Sequence, residues 1–83
     1  MIDTVVAAIR TLASLGLVPR DLAVRPLGPD TLIDDLGADS LGKLELLTEL
    51  EERADVGLSE GMLAGLRTLG QLADAIARLK EQP

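Results

Sequence analysis

Apolar residues return every three or four positions at the start of the chain. Ile2, Val5, Val6, Ile9, Leu12 and Ala13 make one stripe, the spacing of a helix with a single buried face. The pattern predicts a helix from about Asp3 to Leu15. Asp3 or Thr4 is placed to cap its start, and Gly16 followed by Pro19 to end it.

The periodicity then breaks. Residues 17–39 hold Pro19, Pro26 and Pro29 together with Val18, Leu22, Val24, Leu27, Leu32, Ile33 and Leu36. A structureless loop of this length is rare in a small domain. The scattered apolar residues predict an ordered loop, with one short turn, pinned across a helical core. A strand over Leu22–Leu27 is disfavoured by Pro26 and by the lack of a pairing partner.

Helical spacing resumes at Asp39 or Ser40 and continues to about Ala54, with Asp39 suited to the N-cap. Ser59 to Leu63 reads as a short helix capped by Ser59, weakened by Gly57, Gly61 and Gly65, since an interior Gly costs about 1 kcal/mol. The last helix begins at Thr68. There Thr68-Leu69-Gly70-Gln71 has capping-box spacing, and Leu69, Leu72, Ala73, Ile76 and Leu79 form the buried stripe. Arg78 and Lys80 fall where that helix's dipole favours cations. The expected fold is all-α. It is a small four-helix bundle, three helices long and one short, with a long first loop, in one domain over residues 1–83.

The second helix carries two apolar arcs. At about 100° per residue, Leu46, Leu47, Leu50 and Ala54 share one arc. Leu41, Leu44 and Thr48 fall nearly opposite, bordered by Glu45, Glu49 and Glu52. One arc is enough to join a bundle. The surplus arc, rimmed by carboxylates, predicts a small partner-contact patch, although a stray exposed leucine is also ordinary.

Composition removes most chemistry. The 83 residues include no aromatic, Cys or His, which excludes disulfides, thiolate nucleophiles and the commonest general base and metal ligand. An all-aliphatic core predicts stability near the low end of about 5–15 kcal/mol. The net charge of −6 is concentrated: residues 34–60 hold nine acids against two bases, leaving five acids and six bases elsewhere. Such a surface suits basic protein partners and repels nucleic acid. The first residues carry no basic n-region, and no run is long enough to span a membrane. A soluble, cytoplasmic monomer is expected.

One segment changes this picture. Asp34-Asp35-Leu36-Gly37-Ala38-Asp39-Ser40-Leu41 resembles the attachment motif of acyl carrier proteins, and Leu44-Glu45-Leu46 and Glu49-Leu50-Glu51-Glu52 continue the likeness along the second helix. The helix–loop–helix–short helix–helix layout agrees with that family over most of the chain. The resemblance implies a non-catalytic carrier. A separate phosphopantetheinyl transferase would move phosphopantetheine from coenzyme A onto Ser40. The arm's thiol would hold acyl groups for acyltransferase, ligase or ketosynthase-type enzymes with basic docking surfaces. Asp39 would be the motif's flanking acid, serving as cap, transferase contact or both. Leu41, Leu44, Glu45, Thr48 and Glu52 would form the partner face.

The chain also departs from the family. Leu32 and Ala54 stand where members often have Phe, Gly42 where many fatty-acid carriers have an acid, and positions 57, 61, 65 and 70 are all Gly. These differences favour specialised metabolism, such as a discrete polyketide-type pathway, over housekeeping fatty acid synthesis. The smaller Ala54 points to altered space between the helices, where carriers of this family shelter an acyl chain.

Rival readings are weaker. Ser40-Leu41-Gly42-Lys43 has the Ser-x-x-Lys spacing of some hydrolases, but the chain is too short to build a substrate cleft. Lys43 then reads as a solvated residue beside the arm. A calcium loop from Asp34 to Glu45 fails because Leu36 and Ala38 cannot ligate through their side chains. An aminoacyl or peptidyl carrier, and an unmodified carrier-like adaptor, share the layout and stay open.

Overall fold

The computed structural model describes residues 1–81; the last two residues of the expected domain lie outside the described residues. The described residues form four α-helices: α1 (Ile2–Ser14), α2 (Ser40–Ala54), α3 (Glu60–Ala64) and α4 (Leu69–Glu81). This is the expected all-α bundle of three long helices and one short, with a long first loop. α1 packs against both α2 and α4. The core is wholly aliphatic, and no polar or charged side chain is buried among the described residues.

α1 starts one residue earlier than its polar residues suggest. Met1 is its N-cap and makes no side-chain cap, so neither Asp3 nor Thr4 has that role. Ile2 packs on the core, which draws the helix outward to include it. At the other end, Gly16 adopts a left-handed φ of 77°. Its N–H meets the Ala13 carbonyl at 3.1 Å, and the Leu17 N–H meets that of Leu12 at 2.9 Å. This paired arrangement satisfies the last carbonyls of the helix.

The first loop is more regular than expected. It holds two 3₁₀ turns, Arg20–Ala23 and Ile33–Leu36, rather than one. They bury Leu22, Ile33 and Leu36. Arg10 of α1 donates through Nη1 to the carbonyls of Leu22 at 2.9 Å and Arg25 at 3.0 Å. The disfavoured strand over Leu22–Leu27 does not form. A single antiparallel bridge instead pairs Leu32 with Thr68. In it the Ile33 N–H donates to the Arg67 carbonyl at 2.8 Å and the Leu69 N–H to that of Thr31 at 2.9 Å. Next to it, the Gly70 N–H meets the Pro29 carbonyl at 2.9 Å. A Cβ at position 70 would lie 2.9 Å from that same oxygen, so the close approach requires glycine.

Short polar caps set the later helices. Ser59 accepts from the Met62 N–H at 3.3 Å and starts α3. The Thr68–Gln71 capping box is formed: Thr68 Oγ1 accepts from the Gln71 N–H at 3.1 Å, and Gln71 Oε1 accepts from the N–H groups of Thr68 at 3.3 Å and Arg67 at 2.7 Å. Arg78 and Lys80 lie in the last turn of α4, as expected, and Lys80 makes a further contact. Its Nζ donates across the bundle to the Ala54 carbonyl at 2.8 Å, at the C-terminal end of α2. Asp55 follows with a left-handed φ of 56°, and its N–H meets the Glu51 carbonyl at 2.8 Å.

Candidate cofactor-attachment site

The site lies at the start of α2, and its frame is local. Gly37 takes a left-handed φ of 72° as it leaves the Ile33–Leu36 turn. Asp39 is extended and caps the helix: its Oδ1 accepts from the Gly42 N–H at 2.7 Å, and its carbonyl accepts from the Lys43 N–H at 2.9 Å. Ser40 is the first helical residue and is exposed. The first N–H groups of any α-helix lack partners inside it. Asp39 takes up those of Gly42 and Lys43, which leaves those of Ser40 and Leu41 at the open end.

Gly42 is buried here, and packing accounts in part for its identity. A Cβ would sit 3.2 Å from the Ala38 side chain and 3.3 Å from both Asp39 Oδ1 and the Leu17 carbonyl oxygen. The first loop therefore lies directly against the turn that presents Ser40. A larger residue at position 42 requires these neighbours to give by a few tenths of an ångström, a milder constraint than the one at Gly70.

The two arcs of α2 separate as the spacing predicts. Leu46, Leu47, Leu50 and Ala54 are buried, while Leu41 is 63% and Leu44 43% exposed. Thr48 and Glu52 are exposed and Glu45 is half-buried. The acids are not equivalent. Glu49 is held by Arg53, Oε2 to Nε at 2.7 Å, and Arg53 also donates to Thr11 Oγ1 at 2.8 Å. Glu51 Oε2 accepts from the Leu58 N–H at 3.1 Å. Glu45 and Glu52 are thus the carboxylates of the outer arc without an internal partner among the described residues. Ala54 is buried at the far end of α2 and does not line the space beside Ser40.

That space is an open groove of about 460 Å³ between α2 and α3. Ser40 stands at its edge; Leu44, Leu47 and Leu63 supply apolar walls, and Lys43 and Arg67 supply charge. Lys43 is not a freely solvated residue. Its side chain is 36% exposed, and its Nζ lies 3.6 Å from Asp34 Oδ1. The helical wheel contains the signal for this, because about 100° per residue places Lys43 inside the arc of Leu46, Leu50, Ala54 and Leu47. Arg67 reaches the groove from the α3–α4 connection, and no local pattern marked it.

The residues present fit a phosphate ester on Ser40 Oγ. The hydroxyl is exposed, the positive end of the α2 dipole lies under it, and two N–H donors are open at that end. Two cations, Lys43 and Arg67, line the adjacent groove together with the carboxylates of Asp34 and Glu60. Asp39 Oδ1 is engaged on the Gly42 N–H, which holds this side chain at the cap.

Comparisons with known proteins agree with this geometry. A family model described as the phosphopantetheine attachment site matches residues 15–76. An acyl carrier protein of Streptomyces coelicolor is 37% identical over 70 residues, which cover 83% of this chain and 76% of that protein. An acyl carrier protein of Clostridium perfringens is 38% identical over 52 residues, 63% of this chain and 68% of that one. The meromycolate extension acyl carrier protein of Mycobacterium leprae is 36% identical over 52 residues; the match spans 63% of this chain and 45% of that protein's length.

Proposed function

Because the chain belongs to the phosphopantetheine attachment-site family of acyl carriers, whose members bear that arm covalently on a serine, we propose that Ser40 is its anchor. The arm supplies a terminal thiol that holds acyl groups as thioesters. The observation that carries the assignment is the exposed Ser40 at the first position of the Asp39-capped helix α2. The chain itself needs no general base, since a transferase performs the attachment. A tethered acyl group meets successive enzymes at high effective concentration.

Leu41 and Leu44, with Thr48 and the unengaged Glu45 and Glu52, form the docking face for enzymes with basic surfaces. A small apolar centre with an acidic rim suits brief, salt-sensitive contacts. We read the protein as a cytoplasmic monomer serving a polyketide-type or other specialised pathway. With Gly70 accounted for by packing and Gly42 in part, that finer reading rests on Leu32, Ala54 and the glycines at 57, 61 and 65. Among the described residues no helix is long and apolar enough to cross a membrane.

The test is direct. Incubation with coenzyme A, magnesium and a broad-specificity phosphopantetheinyl transferase should add the mass of one arm, and Ser40→Ala should add none. Equal gain by that variant removes the assignment. Mass spectrometry of the protein isolated with its native pathway enzymes should show a polyketide-type acyl cargo; an ordinary fatty acyl chain or an aminoacyl group refutes the pathway reading.

A further inference from the structure

The groove beside Ser40 is lined by four charged residues: Asp34, Lys43, Glu60 and Arg67. Lys43 is the cation carried on the same helix as Ser40, one turn on, where side chains three residues apart are neighbours. Its side chain is half-buried and lines the groove, with its ammonium near Asp34. That pairing is loose. The separation is 3.6 Å and the Asp34 side chain is 92% exposed, so water screens most of the attraction.

We infer that Lys43 pairs with the phosphate of the arm and thereby lays the arm along the groove between α2 and α3; this rests on Ser40 being the anchor. A phosphodiester on Ser40 brings one negative charge to the open end of α2. Lys43 then exchanges an exposed carboxylate on a neighbouring turn for an anion bonded to its own helix. A lysine suits the exchange better than an arginine, because its ammonium is a compact charge on a flexible stem with three rotatable donors. Lys43 is a positioning residue in this account. It decides how often the arm lies over the groove rather than in solvent.

The chain offers an internal control. It has two lysines, Lys43 and Lys80, and Lys80 is already held by the Ala54 carbonyl. Proton–nitrogen correlation spectra of the two side-chain ammonium groups, before and after loading, should show the Lys43 signal shifted and the Lys80 signal unmoved. Phosphorus relaxation should report a more mobile phosphate in Lys43→Gln and a less mobile one in Asp34→Asn, with circular dichroism showing both variants folded. An unmoved Lys43 signal in protein whose mass shows the arm overturns this inference alone. So does phosphate mobility that ignores both variants, or that responds to Arg67→Gln instead. Failure of Ser40 to gain the arm overturns the anchor and this inference together.

Discussion

The two ends of α2 are finished in opposite ways. At the C-terminal end the polar groups are drawn into cross-bundle bonds: Lys80 holds the Ala54 carbonyl, Arg53 joins Glu49 to Thr11, and Glu51 pins the start of the next segment at Leu58. At the N-terminal end the cap is made within four residues, from Asp39 to Gly42, and among the described residues no side chain of α4 bonds to it. Ser40 and Leu41 are left exposed. One end fastens the helix and the other presents it. On the proposed assignment of Ser40 an enzyme must reach this serine, so orientation comes from the far end and from the buried arc of leucines.

Four variants probe that division. Ser40→Ala has the largest expected effect on the open end, abolishing arm attachment by intact mass. It should leave the urea midpoint nearly unchanged, since exposed substitutions usually shift stability by about 0.5 kcal/mol or less. Lys80→Met is its counterpart at the fastened end. It strips a partner from the Ala54 carbonyl at a partly exposed site and should cost about 0.5–1.5 kcal/mol by urea unfolding, with the attachment rate unaltered. A matching loss of attachment would show the two ends to be coupled and would dissolve the distinction. Reversing Glu45 and Glu52 to Lys should slow transfer to a basic partner about tenfold or more at low salt. The fold should persist by circular dichroism, and a rate indifferent to salt would count against the docking face. Asp39→Ala blurs the contrast most gently. Loss of the cap should cost about 1 kcal/mol, and slower attachment beyond that would show the carboxylate serving the transferase as well.

What could be read from the sequence was what short spans determine. The Asp39 cap, the Thr68–Gln71 box and the split arcs of α2 depend on residues within a turn or two of each other, and all three are formed. The start of α1 went the other way: Asp3 and Thr4 offered a local cap, but the packing of Ile2 on the core extended the helix past them. The bridge between Leu32 and Thr68, the reach of Lys80 and the entry of Arg67 into the groove depend on segments far apart in the chain. No periodicity encodes which segments will meet. Lys43 lies between these cases. Its angular position was available from the sequence, but a charged residue on a core arc reads as misplaced until the groove explains it.

The contact between Gly70 and Pro29 bears on how portable the parts of such a carrier are. Position 70 lies on the last helix and position 29 in the first loop, yet the loop's backbone occupies the volume a side chain would need. A hybrid that inherits this loop together with a relative's final helix must therefore keep glycine at 70 or let the loop withdraw. Withdrawal would also strain the Leu32–Thr68 pair that leads into the Ile33–Leu36 turn and on to Ser40. Segments for exchange are best cut so that both residues travel together, as one inherited unit.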